Sequence, residues 1–406
     1  MSILPPELIL DILLRLPPKD LIRSLCVSKA WYAFIHDQRF IKAHLQRSIE
    51  TNSAPLSILI WSDNPEDAPS GFFSLTFSNN DTIGAAVRTE QPFKYADNYT
   101  HILGNSVHGL VCIRNYVDWE IALWNPSIQK LKKIPFPTFE TPRFERLAYY
   151  GFGYDSVHDD YKVVGIVDCY TESRQVHIYS LKSNSWERIQ NMPCNHLDFH
   201  SDYIVFFNGA LNWLMHPVLD ETPHIIQTLN LASEEYCQFS TPVVLDDMYN
   251  MHTPTLSLEV LGGCLCLCVD RFGAAHDVWV MKEYGMTESW TLLFSIEPEA
   301  VLWVHVHSFK PLVLSKNGEM VLLTYKYHNS VFFWYDLKKK SFKQVEFRGH
   351  PRVSKVAVSG VGSLCLLDSV IVGRDRQVPS TSKKRTLLSS EGSLDLVVNS
   401  TKDDQS

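Results

Sequence analysis

Few side chains of this 406-residue sequence stand at the spacing that metal binding would need. The stretch "HVH" at 305–307 places two imidazoles on one face of a predicted strand, which is half of a zinc site, but no third ligand follows nearby. The stretch "HLDFH" at 196–200 fits neither the helical zinc-protease motif nor a helix cap. We therefore expect no metal ion and no cofactor.

Catalytic motifs are equally hard to find. "GFGYDS" at 151–156 has two glycines but lacks the third glycine and the following helix of a dinucleotide-binding loop, so it predicts a strand with a tight turn. "VHDDY" at 157–161 pairs two carboxylates, which most simply form a polar turn. No serine, cysteine or lysine stands in a recognisable nucleophile motif, although triads are assembled in space rather than in sequence. We predict a non-catalytic protein.

The nine cysteines include no C-x-x-C pair. Cys264, Cys266 and Cys268 alternate in "GGCLCLCV", which places all three on one face of a strand. Buried reduced thiols that pack as small hydrophobic side chains are the simplest interpretation, and a zinc or disulfide role is the alternative.

Targeting signals are missing from the N-terminus, where Glu7 and Asp11 interrupt the apolar residues and no basic stretch precedes them. No window of about 18 apolar residues predicts a membrane-spanning helix. We expect a cytoplasmic and/or nuclear protein without a membrane partner.

The net charge of −8 is unevenly distributed. Residues 51–373 carry 24 Lys/Arg against 35 Asp/Glu, whereas 1–50 and 374–406 are each slightly basic. An acidic body repels phosphate backbones, which argues against a nucleic-acid partner. The same charge favours a protein partner that presents Lys or Arg.

The first fifty residues have the periodicity of short amphipathic helices. Leu8, Ile12 and Leu16 form an apolar stripe at i, i+4 and i+8. Pro5 suits the start of the first helix, and Pro17 predicts its end, because proline disfavours the helical conformation in the residue before it.

Two further short helices are predicted after Pro17. The second contains Leu21, and Ser28 is the predicted N-cap of a third that contains Trp31. The apolar side chains exceed what three short helices can bury among themselves. They either bind a partner or pack on the body of the protein, and the pattern alone does not decide between the two.

The stretch "LPPELILDILLRLPPKDLIRSLCVSKAWYAFI", from Leu4 onward, closely resembles the F-box, and "FIKAHL" at 40–45 continues the match. The resemblance implies docking onto a Skp-type adaptor and, through it, onto the cullin of a Skp–cullin–F-box ubiquitin ligase. It also implies that a set of apolar helix positions contacts the adaptor, namely Leu4, Pro5, Leu8, Ile12, Leu16, Pro17, Leu21, Val27 and Trp31.

From about residue 56 the periodicity changes to the two-residue alternation of β-strands. Six hairpin units follow one another at spacings of 47 to 56 residues, with turns near Asn79, Pro126, Lys182, Leu231, Glu283 and Leu337. A multi-strand repeat near fifty residues is typical of a kelch-like propeller blade. Strand candidates between the hairpins predict about four strands per blade and about six blades, with "GSLCLLDSV" at 362–370 completing the first blade.

The same region resembles the plant-type F-box-associated domain over roughly 100–350, through "LWNPSIQKLKKIP", "YGFGYDSVHDDYKVVGIV" and "FFNGALNWL". His108 in "GNSVHGL" departs from that family, which more often has Asn there, and this puts only a local turn in doubt.

We therefore predict a mainly β protein with three regions: a three-helix F-box at 1–50, a kelch-like propeller of about six blades at 51–373 and a disordered polar tail at 374–406. The predicted function is that of a non-catalytic adaptor that binds an unknown protein substrate for ubiquitination. The alternative is a β-propeller glycan-binding module or enzyme with an incidental helical cap.

Overall fold

Four helices and a ring of β-sheets make up the described part of the chain. The computed structural model describes residues 5–51, 57–62, 71–76, 84–89, 92–93, 100–115, 120–136, 148–167, 173–193, 197–199, 204–217, 224–242, 255–271, 275–297, 309–325, 331–345, 353–359, 362–368 and 370–371. The predicted tail at 374–406, the histidines of "HVH" and Leu4 lie outside these residues.

The described helices form one bundle at the N-terminus: α1 (Pro6–Leu14), α2 (Pro18–Ser24), α3 (Lys29–His36) and α4 (Gln38–Thr51). Pro6 and Pro18 each begin a helix, where a missing N–H leaves no hydrogen bond unmade. Ser28 caps α3 as predicted, because its Oγ accepts a hydrogen bond of 3.1 Å from the amide of Trp31. The fourth helix exceeds the predicted three.

Six antiparallel sheets follow in the described residues, and each is one blade. Blade 1 contains β1 (Ser57–Ser62), β2 (Gly71–Thr76) and β3 (Val87–Arg88), and blade 2 contains β4 (Thr100–Val107), β5 (Leu110–Asn115), β6 (Glu120–Asn125) and β7 (Lys130–Ile134). Blade 3 contains β8 (Ala148–Asp155), β9 (Asp160–Val167), β10 (Ser173–Ser180), β11 (Ser185–Arg188) and β12 (Met192–Pro193).

The remaining blades have the same antiparallel order. Blade 4 contains β13 (Leu197–Phe199), β14 (Val205–Phe207), β15 (Ala210–Pro217), β16 (Ile225–Asn230) and β17 (Tyr236–Ser240). Blade 5 contains β18 (Thr255–Leu261), β19 (Cys264–Arg271), β20 (Ala275–Met281) and β21 (Trp290–Ile296). Blade 6 contains β22 (Phe309–Leu314), β23 (Met320–Tyr325), β24 (Val331–Asp336) and β25 (Ser341–Gln344). The last strands are β26 (Val353–Ser359) and β27 (Val370–Ile371).

Ring closure differs from the prediction. β26 pairs antiparallel with β1, from Ser57 opposite Ser359 to Ser62 opposite Val353, and so completes blade 1. The predicted closing segment at 362–370 was wrong: most of it follows β26 without joining blade 1, and only β27 pairs, with β7 at the outer edge of blade 2. The segment "GSLCLLD" is not a strand, and its side chains of Leu364 and Leu367 are buried.

The core of the propeller lies between the blades, with one apolar cluster at each of the six described seams. At the seam of blades 1 and 2, the rings of Phe72 and Trp124 lie 4.9 Å apart. At the seam of blades 6 and 1, Ile60 packs in one cluster with Phe332. Middle strands face a blade on either side, which explains why β19 is buried along nearly its whole length.

"GFGYD" is the inner strand β8, as the strand interpretation predicted. A Cβ at Gly153 would lie 2.4 Å from a ring carbon of Phe206, and one at Gly151 would lie 2.8 Å from Ile204 Cγ2. These glycines therefore allow blade 4 to approach blade 3 closely. At the departure noted for His108, the residue adopts a φ of 51°, and Asn208 adopts 50° in the corresponding turn of blade 4.

Candidate protein-docking surface

Apolar side chains point outward from the first and third helices. Leu8 and Ile12 of α1 are 51% and 46% exposed, and Val27, just before α3, is 60% exposed. Burial of such side chains is worth about 1.5–3 kcal/mol each, so their exposure is costly in the isolated chain. A surface of this kind on a soluble protein usually marks a partner site.

The structure divides the predicted docking residues into three groups. Pro5, Leu8, Ile12, Pro17 and Val27 are exposed. Leu16 and Trp31 are half-buried and pack on the apolar cluster beneath the helices. Leu21 is fully buried inside the chain, so it is not exposed to a partner in this structure. Leu4 lies outside the described residues.

Three further exposed apolar residues stand outside the predicted docking set. Tyr32 and Phe34 of α3 are 51% and 38% exposed, and Leu10 of α1 is 38% exposed. The signal was present in α3: Trp31 and Ile35, four residues apart, face inward, which leaves Tyr32 and Phe34 on the outer side. We call the six exposed residues Leu8, Leu10, Ile12, Val27, Tyr32 and Phe34 the outward apolar set.

Exposed charged pairs lie on α1 and α2. Arg15 Nη2 lies 2.8 Å from Asp11 Oδ2, and Arg23 Nη1 lies 3.1 Å from Asp20 Oδ1. These exposed pairs contribute little to stability. Apolar side chains with polar neighbours of this kind are the usual make-up of a protein interface.

The inner side of the helices packs on the propeller. Leu13, Leu21 and Ile35 form one buried cluster together with Phe40, Ile41, Ile128, Leu364 and Leu367, and the last three of these belong to the propeller region. His44 of α4 is also buried, and its Nε2 lies 2.9 Å from the carbonyl oxygen of Leu16. The carbonyl oxygen can only accept, so Nε2 donates this bond, and burial lowers the pKa of His44. The helices therefore pack on the body of the protein with one side of the bundle, and the other side keeps an exposed apolar surface.

Polar contacts also join the helices to the propeller. Lys42 of α4 forms an ion pair with Asp159 in the β8–β9 turn, and Asp159 also accepts a hydrogen bond of 2.5 Å from the Tyr154 hydroxyl. Burial would raise the pKa of Asp159, but the bonds from Lys42 and Tyr154 outweigh it and lower that pKa. Beside these contacts, a cleft of about 980 Å³ separates α4 from the turns of blades 2 and 3.

The helices occupy one face of the propeller. They contact the β6–β7 turn through Ile128 and the β8–β9 turn through Asp159. In antiparallel blades, the connections between the second and third strands and those from blade to blade leave from the opposite face. Most of those connections, 137–147 and 243–254 among them, lie outside the described residues. Loops at one end of a rigid scaffold are the usual place for recognition of a ligand.

The described residues that the sequence offered for catalysis or metal binding have structural roles. "VHDDY" spans the β8–β9 turn, where Asp155 Oδ1 accepts from the amides of Val157 and His158 at 3.0 Å each. Cys266 and Cys268 are buried free thiols and Cys264 is a half-buried one. No group of three or more His, Cys, Asp or Glu among the described residues is placed to hold a metal ion. No described helix has both the length and the apolarity to cross a membrane.

Two protein families match this chain. The F-box domain matches residues 1–43, and the F-box associated beta propeller domain matches residues 59–366. The first match covers most of the helical bundle, and the second covers the ring of six blades.

Relatives share both parts. The F-box protein CPR1 of Arabidopsis thaliana is 30% identical over 379 residues, which cover 86% of this chain and 86% of that protein. An F-box/kelch-repeat protein of Arabidopsis thaliana is also 30% identical, over 80% of this chain and 85% of its own length. Among solved structures, the SapL1 lectin in complex with alpha methyl fucoside is 10% identical with a TM-score of 0.42, covering 73% of this chain and 98% of that one.

The structure and the family matches lead to the same assignment. This chain is an F-box protein, and its propeller belongs to the F-box-associated β-propeller family.

Proposed function

We propose that this chain is a substrate-recognition subunit of a Skp–cullin–F-box ubiquitin ligase. The outward apolar set binds a Skp-type adaptor and, through it, a cullin, and the propeller binds a protein substrate. The observation that carries the proposal is the division of α1: Leu8 and Ile12 are exposed while Leu13, on the same helix, is buried against the propeller. The helices thus have a surface left over after they have packed on their own chain.

No step of the chemistry needs a group on this chain. Ubiquitin transfer is performed by other subunits, and the chain raises the effective concentration of a substrate lysine near the charged ubiquitin. No cofactor takes part, and the place of action is the cytoplasm, the nucleus or both. The substrate binds at the propeller face opposite the helices, where its attachment leaves the adaptor free to bind.

The acidic charge of residues 51–373 supports a substrate that carries Lys or Arg at its contact surface, because complementary potentials speed association. The glycan-binding alternative needs aromatic platforms at the surface. Trp61, Trp124 and Trp213 are fully buried, and none of the other described tryptophans is fully exposed. These three tryptophans are therefore unavailable as platforms, whereas Trp31, Trp186 and Trp279 are half-buried.

The purified chain and a purified Skp-type adaptor test the first half of the proposal. Isothermal titration should give a one-to-one complex, and addition of the cullin should give a ternary complex on size exclusion. A folded chain that does not bind the adaptor would refute the proposal.

The second half is tested by affinity purification from cells after proteasome inhibition, with mass spectrometry of the bound proteins. The Leu8→Ala/Ile12→Ala double variant serves as a trap, because it holds a substrate without delivering it to the ligase. A substrate should be enriched with both forms, and only with the native form should its ubiquitinated species appear. Binding of that substrate should weaken as ionic strength rises.

A further inference from the structure

The segment at 362–368 lies between the helices and blade 2. Leu364 is fully buried and Leu367 is 4% exposed, and both pack in the apolar cluster with Leu13, Leu21 and Ile35. The segment begins only three residues after β26, the strand that closes the ring. We call residues 362–368 the wedge.

Asn125, the last residue of β6, holds the wedge from the propeller side. Its Nδ2 donates hydrogen bonds of 2.9 Å each to the carbonyl oxygens of Ser363 and Cys365. Its Oδ1 accepts a bond of 3.0 Å from the amide of Ser127 within the β6–β7 turn. The Asn125 side chain is fully buried, so water cannot replace these bonds.

Asn125 has two roles, one in its own turn through Oδ1 and one at the wedge through Nδ2. The corresponding turns of other blades show which role the turn itself requires. In blade 4, Asn230 is exposed, and its Oδ1 accepts from the amides of Ala232 and Ser233. In blade 6, Asp336 stands at this position, and its Oδ1 accepts from the amides of Lys338 and Lys339. The turn therefore needs only a side-chain oxygen. The NH2 group of Asn125 serves the wedge instead.

Further contacts fix the wedge at both ends and from both sides. A Cβ at Gly362 would lie 3.2 Å from Pro18 Cγ of α2 and 3.5 Å from Ser127 Oγ of the β6–β7 turn, so the backbone there runs close to both domains. The Tyr161 hydroxyl of blade 3 lies 3.2 Å from Cys365 Sγ. Asp368 lies 3.6 Å from the Nε2 atom of His36.

We propose that the wedge holds the helical bundle at one angle on the propeller, and that Asn125 is the positioning residue that keeps the wedge in place. The cleft between α4 and blades 2 and 3 would leave the bundle room to tilt if the wedge were displaced. This inference rests on the proposed function, because a fixed angle matters when the adaptor binds one side and the substrate the other. The angle then sets where a substrate lies relative to the charged ubiquitin.

Asn125→Asp tests the proposal, because it removes the NH2 group, keeps a side-chain oxygen and places a carboxyl group against the two carbonyls. The carboxylate can still accept from Ser127, as Asp336 does in its own turn, but it has no donor for the two carbonyls. Loss of two buried hydrogen bonds should raise the population of the displaced wedge roughly ten- to hundredfold. Hydrogen exchange of peptides from the wedge, α2 and α3 should accelerate by that factor, while peptides from blade 4 exchange as before.

Asn230→Asp is the matched control, because Asn230 makes the turn contacts without a wedge. It should leave exchange unchanged throughout the helices. Unchanged exchange in a folded Asn125→Asp chain would overturn the proposal, as would equal acceleration in every blade, which would show a loss of general stability instead.

The angle itself is measured with spin labels on the exposed Cys26 of the helical bundle and the exposed Cys237 of blade 4, after Cys169, Cys194 and the half-buried Cys264 and Cys365 are replaced by serine in every variant. The native chain should give one narrow distance distribution. The combined variant Asn125→Asp/Leu367→Ala should give a broad one, with adaptor affinity within a few-fold of native. A narrow distribution in that variant would refute the wedge. This measurement needs no adaptor, so the wedge and the proposed function fail separately.

Discussion

Ile12 and Leu13 are consecutive residues of α1, and their side chains lie in opposite environments. Ile12 is 46% exposed, whereas Leu13 is fully buried in the cluster that joins the helices to the propeller. Neighbouring side chains on an α-helix differ by about 100° in direction, which is enough to separate the two faces. Substitutions at these two positions should therefore affect different properties.

Leu8→Ala with Ile12→Ala should weaken adaptor binding and leave the fold intact. An interface anchor that is truncated typically costs about 2 kcal/mol, and each ~1.4 kcal/mol is a factor of ten in affinity. We therefore expect binding to weaken roughly a hundredfold or more, measured by titration calorimetry. Ile49→Ala on α4, which is 42% exposed at a position outside the predicted set, is the control and should bind as the native chain does. Native affinity in a folded double variant would contradict docking through α1.

Leu13→Ala and Leu21→Ala should each lower the free energy of unfolding. Truncation of a fully buried leucine usually costs about 2–5 kcal/mol, because the lost contacts leave a cavity. Urea denaturation followed by circular dichroism gives this quantity. If Leu21→Ala reduced adaptor affinity while the urea midpoint stayed native, Leu21 would be a docking residue after all.

Asp155 should make stability depend on pH in the acid range. Burial alone would raise the pKa of Asp155, but hydrogen bonds from the His158 amide, Lys162 Nζ and the His158 ring outweigh it and lower the pKa to about 2. The folded pKa lies below the unfolded one, so the stabilisation is present above about pH 4 and is lost as the pH falls towards 2. Asp155→Asn should therefore cost about 2 kcal/mol at pH 7.

The measurement for Asp155 is a series of urea denaturations between pH 7 and pH 2. The native and variant curves should converge at the acid end, where the native carboxyl is protonated. A constant difference across the whole range would show that the cost comes from shape rather than from charge.

Gly153→Ala should loosen the seam between blades 3 and 4. The added methyl group would lie 2.4 Å from a Phe206 ring carbon and 2.5 Å from Leu231 Cδ1, so both side chains would have to move. Overpacking of this kind costs about 1–3 kcal/mol. Gly165→Ala is the milder comparison, because its Cβ would meet Tyr150 Cε1 at 3.1 Å. Equal urea midpoints for Gly153→Ala and the native chain would contradict this account of the seam.

Much of the fold could be predicted from periodicity. Hairpins at regular spacing predicted the blades, and three blades repeat the same turn chemistry: Asn125, Asn230 and Asp336 each end a third strand and cap the turn that follows. The cap of α3 at Ser28 could also be predicted, because it depends only on a hydroxyl group and the backbone amide three residues later.

Contacts between distant segments could not be predicted. Leu21 and Leu8 look alike in the sequence, but Leu21 is buried in a cluster that includes Leu364 and Leu367 from the far end of the chain. The alternation in 362–370 was read as a strand because a period of two shows that side chains face opposite ways, not what they face. The strand that closes the ring is β26 and not this segment.

Because β26 pairs with β1, the blade that a ribosome begins first is the blade that it completes last. Roughly 300 residues must be translated between the two strands, which takes about 15–60 s at the usual 5–20 residues per second. Throughout that interval the nascent chain exposes an unpaired edge of β1 and a helical bundle without Leu364 and Leu367 beneath it. Such exposed edges favour aggregation, so the nascent chain is a natural client for chaperones until its last blade closes.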